Sequence, residues 1–194
     1  MPVHLITFPL VIPQQAEHIS FHDGFADPRH GVGHQAIDLG APAGTTVVSA
    51  THGTVIHQWV TQRDSTPMSG CGWSDRGGNV VIVVDPEGYA HYYAHMRSTP
   101  LVAPGTMINA GTRLGFVSNT GSAAAHSSPH LHYQVWPIGP GRDVEWSNGI
   151  FTRPFGRAIN VFSELRRLSE PLGARVGERS VIWGAGRRHS GRGH

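Results

Sequence analysis

Between Thr45 and Trp136 the chain is a succession of short β-prone runs cut apart by turn formers, and no helical period appears before residue 158. This constrains the fold more than any other feature. TTVVSATHGTVIHQWV (45–60) reads as two strands broken at Gly53. GNVVIVVD (78–85) is a continuous apolar strand, Pro86-Glu87-Gly88 a hairpin turn, and YAHYYAHM (89–96) the returning partner. TRLGFVS (112–118) and HLHYQVW (130–136) supply two more strands. The 25 Gly and 14 Pro suit strands joined by turns and exclude a helical bundle. Ala158–Leu168 is the one helix candidate: Ile159, Phe162, Leu165 and Leu168 recur at three-residue steps, and Pro171 and Gly173 close it. The expected fold is all-β, with an antiparallel, sandwich-like core, long groove-forming loops at 61–77 and 121–129, and a short C-terminal helix.

A length of 194 residues suits one domain. We divide it into residues 1–157, which hold the core and an irregular N-terminal lead-in, and residues 158–194, the helix followed by a basic tail expected to be disordered. Charge separates the same way. Residues 1–154 hold seven Arg and ten acids, whereas 155–194 hold eight Arg and three acids. A weakly acidic body whose aromatics are not interleaved with Arg argues against a nucleic-acid binder. No apolar run approaches the ~18 residues of a membrane helix, so no membrane insertion is expected. The N-terminus lacks a basic region, and Pro9 and Pro13 interrupt its apolar stretch, so no secretory signal is expected. The single cysteine, Cys71, excludes an intrachain disulfide and a multi-cysteine zinc site.

The 14 histidines are the outlier. Three clusters stand out: His34-x-x-x-Asp38, His95 at a strand end, and His130-x-His132. Side chains two apart on a strand share a face, so His130 and His132 point the same way. By the same period Tyr89, His91, Tyr93 and His95 share one face, opposite Ala90, Tyr92 and Ala94. His34 and Asp38, between Gly33 and Pro42, belong to extended or turn structure. Two imidazoles and one carboxylate would make an open zinc site, because three protein ligands leave a place for water. The strand period does not say which histidines those are.

GHQAIDLGAPAGTTVVSATHGTVI (33–56) closely resembles the first metal motif of the lysostaphin-like (LytM-type) zinc endopeptidases, which cut peptidoglycan peptides. GNVVIVVDPEGYAHYYAHM (78–96) is similar to that family's G-N-x-V strand, turn and Y-x-H-L strand. LGFVSNTG and SPHLHYQVW (114–136) are similar to its G-x-V-G-x-T-G loop and P-H-L-H-F-E strand, and FADPRHGVGH (25–34) to its F-G-x-R approach. The resemblance covers roughly residues 22–137. It implies one zinc per chain on His34, Asp38 and His132, with His95 and His130 as catalytic histidines, one the general base. Departures are Ala36 for Gly, Met96 for Leu, Tyr133 for Phe, Gln134 for the acid, and a longer 121–129 loop carrying His126.

The resemblance therefore implies a monomeric zinc endopeptidase of peptidoglycan stems or cross-bridges. It would act in the cell wall or extracellular space, as a phage-delivered lysin or a mature fragment of an exported bacterial protein. The alternative is a non-catalytic protein of the same fold that binds wall or activates an amidase. A cupin-like iron barrel fits poorly, because cupins place H-x-H before the later carboxylate and His. Tyr93 is assigned either a contact with substrate or the oxyanion, or a packing role. His91 is expected on the groove wall or surface. His22, His30, His52, His57 and His126 are expected to be bystanders, Cys71 an inert thiol, and Trp59 and Trp73 either groove lining or packing.

Overall fold

A computed structural model describes residues 3–11, 18–28, 33–59, 76–97, 101–138, 146–147, 150–151 and 157–177. The expectations for the 61–75 stretch of the long loop, Cys71, Trp73, His30 and the basic tail beyond 177 lie outside these residues.

The strands are β1 (Ser20–Phe21), β2 (Ile37–Gly40), β3 (Thr46–Val48), β4 (Gly53–Trp59), β5 (Asn79–Val84), β6 (Tyr89–Met96), β7 (Met107–Ile108), β8 (Arg113–Phe116), β9 (His130–Pro137), β10 (Trp146–Ser147), β11 (Ile150–Phe151) and β12 (Arg175–Val176). Eight form one sheet in the order β12-β1-β2-β9-β6-β5-β4-β7, and β3 pairs with β8 in a separate ribbon. All of these pairings are antiparallel except β1 with β12. The all-β expectation holds.

Alternation decides what each face of the large sheet does. Ile37 and Leu39 of β2, Val81 and Val83 of β5, Tyr93 of β6, and Leu131, Tyr133 and Val135 of β9 join the main core. Val47 and Leu114 of the β3–β8 ribbon, Val3 to Leu10 of the N-terminal segment, and Val161 and Leu165 cover that face. This gives the sandwich-like layering. The opposite face carries a smaller cluster of Val80, Ile82, Ala90, Tyr92, Ala94 and Trp136. The same face presents Asp38 and His132, which stand directly opposite each other in the β2–β9 register.

The helix, α1 (Phe162–Ser169), begins four residues later than its sequence pattern and ends one later. Val161 is the N-cap and offers no side-chain cap, while Asn160 Oδ1, one residue earlier, accepts the Phe162 N–H at 2.9 Å in a local turn that precedes the helix. Leu165 is fully buried. Gly173 closes the following turn at φ 74°, a left-handed value that glycine adopts freely. The chain then adds β12 to the sheet edge, a two-residue strand that no periodicity could announce.

Candidate metal centre

Asp38 and His132 form a cross-strand pair, with Asp38 Oδ1 2.9 Å from His132 Nδ1. His34 comes in from the loop before β2. Its backbone N–H donates to Asp27 O at 2.9 Å and its carbonyl accepts from Ala26 N at 2.6 Å, so the chain is pinned on both sides of the ring. His34 Nε2 then lies 3.3 Å from Asp38 Oδ1 and 3.4 Å from His132 Nδ1. Among the described residues these three form the group able to hold a metal, all donor atoms lying within 4.8 Å of one another.

Hydrogen bonds behind the rings decide which nitrogens point inward. His34 Nδ1 donates to the Gly24 carbonyl at 3.1 Å, which only accepts, so Nε2 presents its lone pair. His132 Nε2 faces Gln134 Oε1 at 3.4 Å, leaving Nδ1 for the centre. In the neutral imidazoles a metal requires, two nitrogen lone pairs and a carboxylate oxygen converge on one point. Without a cation or proton between them they repel. Tetrahedral coordination at bonds of ~2.0–2.1 Å sets ligand atoms about 3.3 Å apart, and the three edges of 2.9, 3.3 and 3.4 Å match it. The residues fit an open zinc site. With protons rather than a cation between these atoms, burial would raise the Asp38 carboxyl, but hydrogen bonds donated by His132 and His34 hold it well below its usual value. It is ionised at neutral pH, as a ligand must be.

Two further imidazoles flank this centre. His130 Nδ1 donates to the Ser128 carbonyl at 2.9 Å, and Nε2 lies 3.9 Å from Asp38 Oδ1. His95 Nδ1 donates to the Thr120 carbonyl at 2.8 Å. The His95 ring centroid is 4.8 Å from that of His130 and 5.6 Å from that of His132. The five residues singled out in the sequence therefore do come together.

His95 reaches this place against the strand period. Val81 pairs with Tyr93 and Asn79 with Met96, so Val80 alone faces two residues, Ala94 and His95. At this bulge His95 takes φ 62°, a left-handed conformation costing ~1–2 kcal/mol for a residue with a Cβ. The expectation that His95 shares a face with His91 and Tyr93 is corrected. The bulge turns His95 to the side of His132, while the other two stay on the core side. Burial first, then the charges of His132 and His130, pushes the His95 imidazole down to about 3.

Of the two roles open for Tyr93, the substrate contact is corrected and packing stands. It is fully buried in the main core on the far side of the sheet, where its hydroxyl accepts the Ala50 N–H at 2.9 Å. It has no surface to offer substrate. Its neighbour Tyr92 faces the site, edge-on to His132 with centroids 6.1 Å apart, as period-two alternation could have indicated. His91 is neither wall nor surface. It is fully buried, with Nε2 donating to Asp85 Oδ2 at 2.9 Å and Nδ1 2.7 Å from the Tyr133 hydroxyl. His52 and His126 are exposed and outside the centre. His22 lies 3.7 Å from Asp27 and is not part of the three-residue group.

An antiparallel sheet that carries an open two-histidine, one-carboxylate centre with two attendant imidazoles is the arrangement of a metallopeptidase of the lysostaphin and LytM type. The chain belongs to peptidase family M23, whose sequence profile matches residues 32–145. An uncharacterized metalloprotease of Buchnera aphidicola is 28% identical over 103 residues, 53% of this chain but only 23% of the relative's length. The crystal structure of a putative glycyl-glycine endopeptidase LytM from Ruminococcus gnavus superposes with a TM-score of 0.62 at 22% identity, covering 91% of this chain and 64% of that one. Lysostaphin from Staphylococcus simulans gives 0.53 at 21% identity, covering 86% and 55%. Both likenesses show the fold.

Proposed function

We propose that the protein is a zinc-dependent endopeptidase that hydrolyses peptide bonds in bacterial peptidoglycan stems or cross-bridges, acting at the cell wall with one zinc per chain. The observation that carries this reading is the convergence of three donor atoms, His34 Nε2, Asp38 Oδ1 and His132 Nδ1, beside two imidazoles that are not needed as ligands. A bound zinc would supply Lewis acidity, lowering the pKa of a water toward ~7 and polarising the scissile carbonyl.

The remaining chemistry belongs to the chain. His95 and His130 both give their Nδ1–H to backbone carbonyls, so each keeps an Nε2 lone pair free to take a proton. One of them accepts the proton of the attacking water. Once charged, an imidazolium beside the carbonyl stabilises the developing oxyanion and can give its proton to the leaving amine. His95 is almost fully buried and His130 partly open, so the pair spans the interior and the mouth of the site.

Defined muropeptides of several cross-bridge types, with and without chelator, test the proposal by mass analysis and assay of freed amines. Chelator-sensitive release that added zinc restores is expected. Wall binding with no release from any type would favour the non-catalytic alternative.

A further inference from the structure

We propose that Thr120 is a positioning residue for His95, holding its tautomer through a hydrogen bond to the ring and its left-handed backbone through a hydrogen bond to the next carbonyl along the chain. This deepens the peptidase reading and rests on it for its consequence in turnover. The Thr120 carbonyl accepts His95 Nδ1–H at 2.8 Å. The Thr120 hydroxyl donates to the Met96 carbonyl, the next one along the chain, at 2.7 Å. The same hydroxyl accepts the Asn79 N–H at 3.0 Å, and Asn79 Nδ2 donates to the same Met96 carbonyl at 3.1 Å. The His95 carbonyl itself accepts from Ser118 N at 3.1 Å. His95 is thus tied at its ring, at its own carbonyl and at the next carbonyl to one short segment, 118–120, and that segment is tied to the start of β5.

The surroundings leave this segment little freedom. A Cβ at Gly78 would overlap the Thr120 carbonyl carbon and hydroxyl, and one at Gly121 would overlap Gly78 N and the Arg76 carbonyl. The two loops therefore interlock where Thr120 sits, and Thr120 and Asn79 are buried. A non-glycine residue persists at a strained φ only when its surroundings over-determine it. Here the determining groups are identifiable, and the strained residue is the one that must cross from the core face to the site face. If the hydroxyl is lost, its bond to the Met96 carbonyl and the bond it accepts from the Asn79 N–H both go. His95 is then free to relax toward extended backbone, which carries the ring away from His132.

The test compares Thr120→Val, which keeps the shape but loses both hydroxyl bonds, with Thr120→Ser, which keeps them. It uses the full chain loaded with zinc and ¹⁵N-labelled at histidine. In wild type and Thr120→Ser, His95 is expected to show the Nδ1–H tautomer. In Thr120→Val that signature should weaken, with kcat falling about 10–100-fold, KM little changed and zinc content unchanged. Asn79→Ala, which removes the side-chain bond to Met96 and keeps the Thr120 hydroxyl, should fall between them, and it carries the test if Thr120→Val does not fold. A wild-type His95 signature in folded Thr120→Val or, failing that, in Asn79→Ala overturns the proposal, as does a Thr120→Ser variant that behaves like Val. If wild type proves to cleave no wall peptide, the peptidase reading fails, while the nitrogen spectra still decide the positioning role.

Discussion

His130 and His132 stand two residues apart on one face of β9, yet losing each should have a different result. His132 supplies Nδ1 to the three-atom centre, so His132→Ala should abolish both zinc retention and turnover. His130 Nε2 stands outside that triangle, 3.9 Å from Asp38. His130→Ala should keep stoichiometric zinc and lose on the order of 10²–10⁴ in turnover. Elemental analysis beside the muropeptide assay separates the two, and zinc loss in His130→Ala with retention in His132→Ala would reverse the assignment. Tyr133 illustrates a different role one residue away. Burial and the neighbouring Tyr93 hold its phenol well above the ordinary value, so it stays protonated. Its hydroxyl meets His91 Nδ1 at 2.7 Å inside the core. Tyr133→Phe leaves that nitrogen buried without a partner and should cost about 1–3 kcal/mol. Zinc content should not change, because Tyr133 faces away from the centre. Urea unfolding and metal analysis of the same preparation check both halves. The two residues also show what the sequence could and could not reveal. His132 was legible as half of an H-x-H pair. The His91–Tyr133 contact was not, because it joins side chains 42 positions apart across two strands.

At the scale of elements, β5, β6 and β9 were legible almost to the residue, because continuous or alternating apolar runs end at clear turn formers. β1 and β12 were not, since two residues carry no period and their pairing joins Ser20 to Arg175. The face of His95 was misread for a related reason. Period-two counting assumes an unbroken ladder, and the bulge opposite Val80 is held by a loop some 25 residues away. That loop contact can be probed at a glycine. Gly78 has φ 66°, and a Cβ there would meet the Thr120 backbone, whereas Gly111 has φ 82° with nothing within 4 Å. Gly111→Ala therefore measures backbone strain alone, about 1–2 kcal/mol. Gly78→Ala adds a steric clash that only movement of the 120–121 segment can relieve, and should cost about 2–3 kcal/mol or more. It should also shift the His95 resonances, while Gly111→Ala should not. Equal costs with unchanged His95 resonances would show that the two loops do not interlock as described.

For the whole molecule, metal and protons should act in opposition. A ligand that binds only the folded chain stabilises it by RT ln(1 + [L]/Kd), about 2.7 kcal/mol at a hundredfold excess over Kd. Chelation should therefore lower the unfolding midpoint, and zinc should restore it. The metal-free protein has its own pH dependence. In the fold, burial and the neighbouring His132 and His130 take His95 down to about 3. In the unfolded chain an imidazole titrates near ~6.5. Between these values the unfolded chain binds a proton that the folded chain refuses, so stability falls as pH falls from 6.5 toward 3. Asp38 adds to the loss only lower down. Its folded carboxyl lies well below 3.8, so its stabilising contribution is present above that value and fades below it. Metal-free protein should thus weaken between pH 6.5 and 4.5, while the carboxylate is still charged. Urea midpoints at pH 7 and pH 4.5, measured for wild type and for His95→Asn, isolate the imidazole. The wild-type midpoint should drop further than that of the variant, because the variant has no proton to gain at that position on unfolding. If the two proteins lose the same amount, His95 takes up a proton in the folded state as readily as in the unfolded one, and its burial does not govern the acid response.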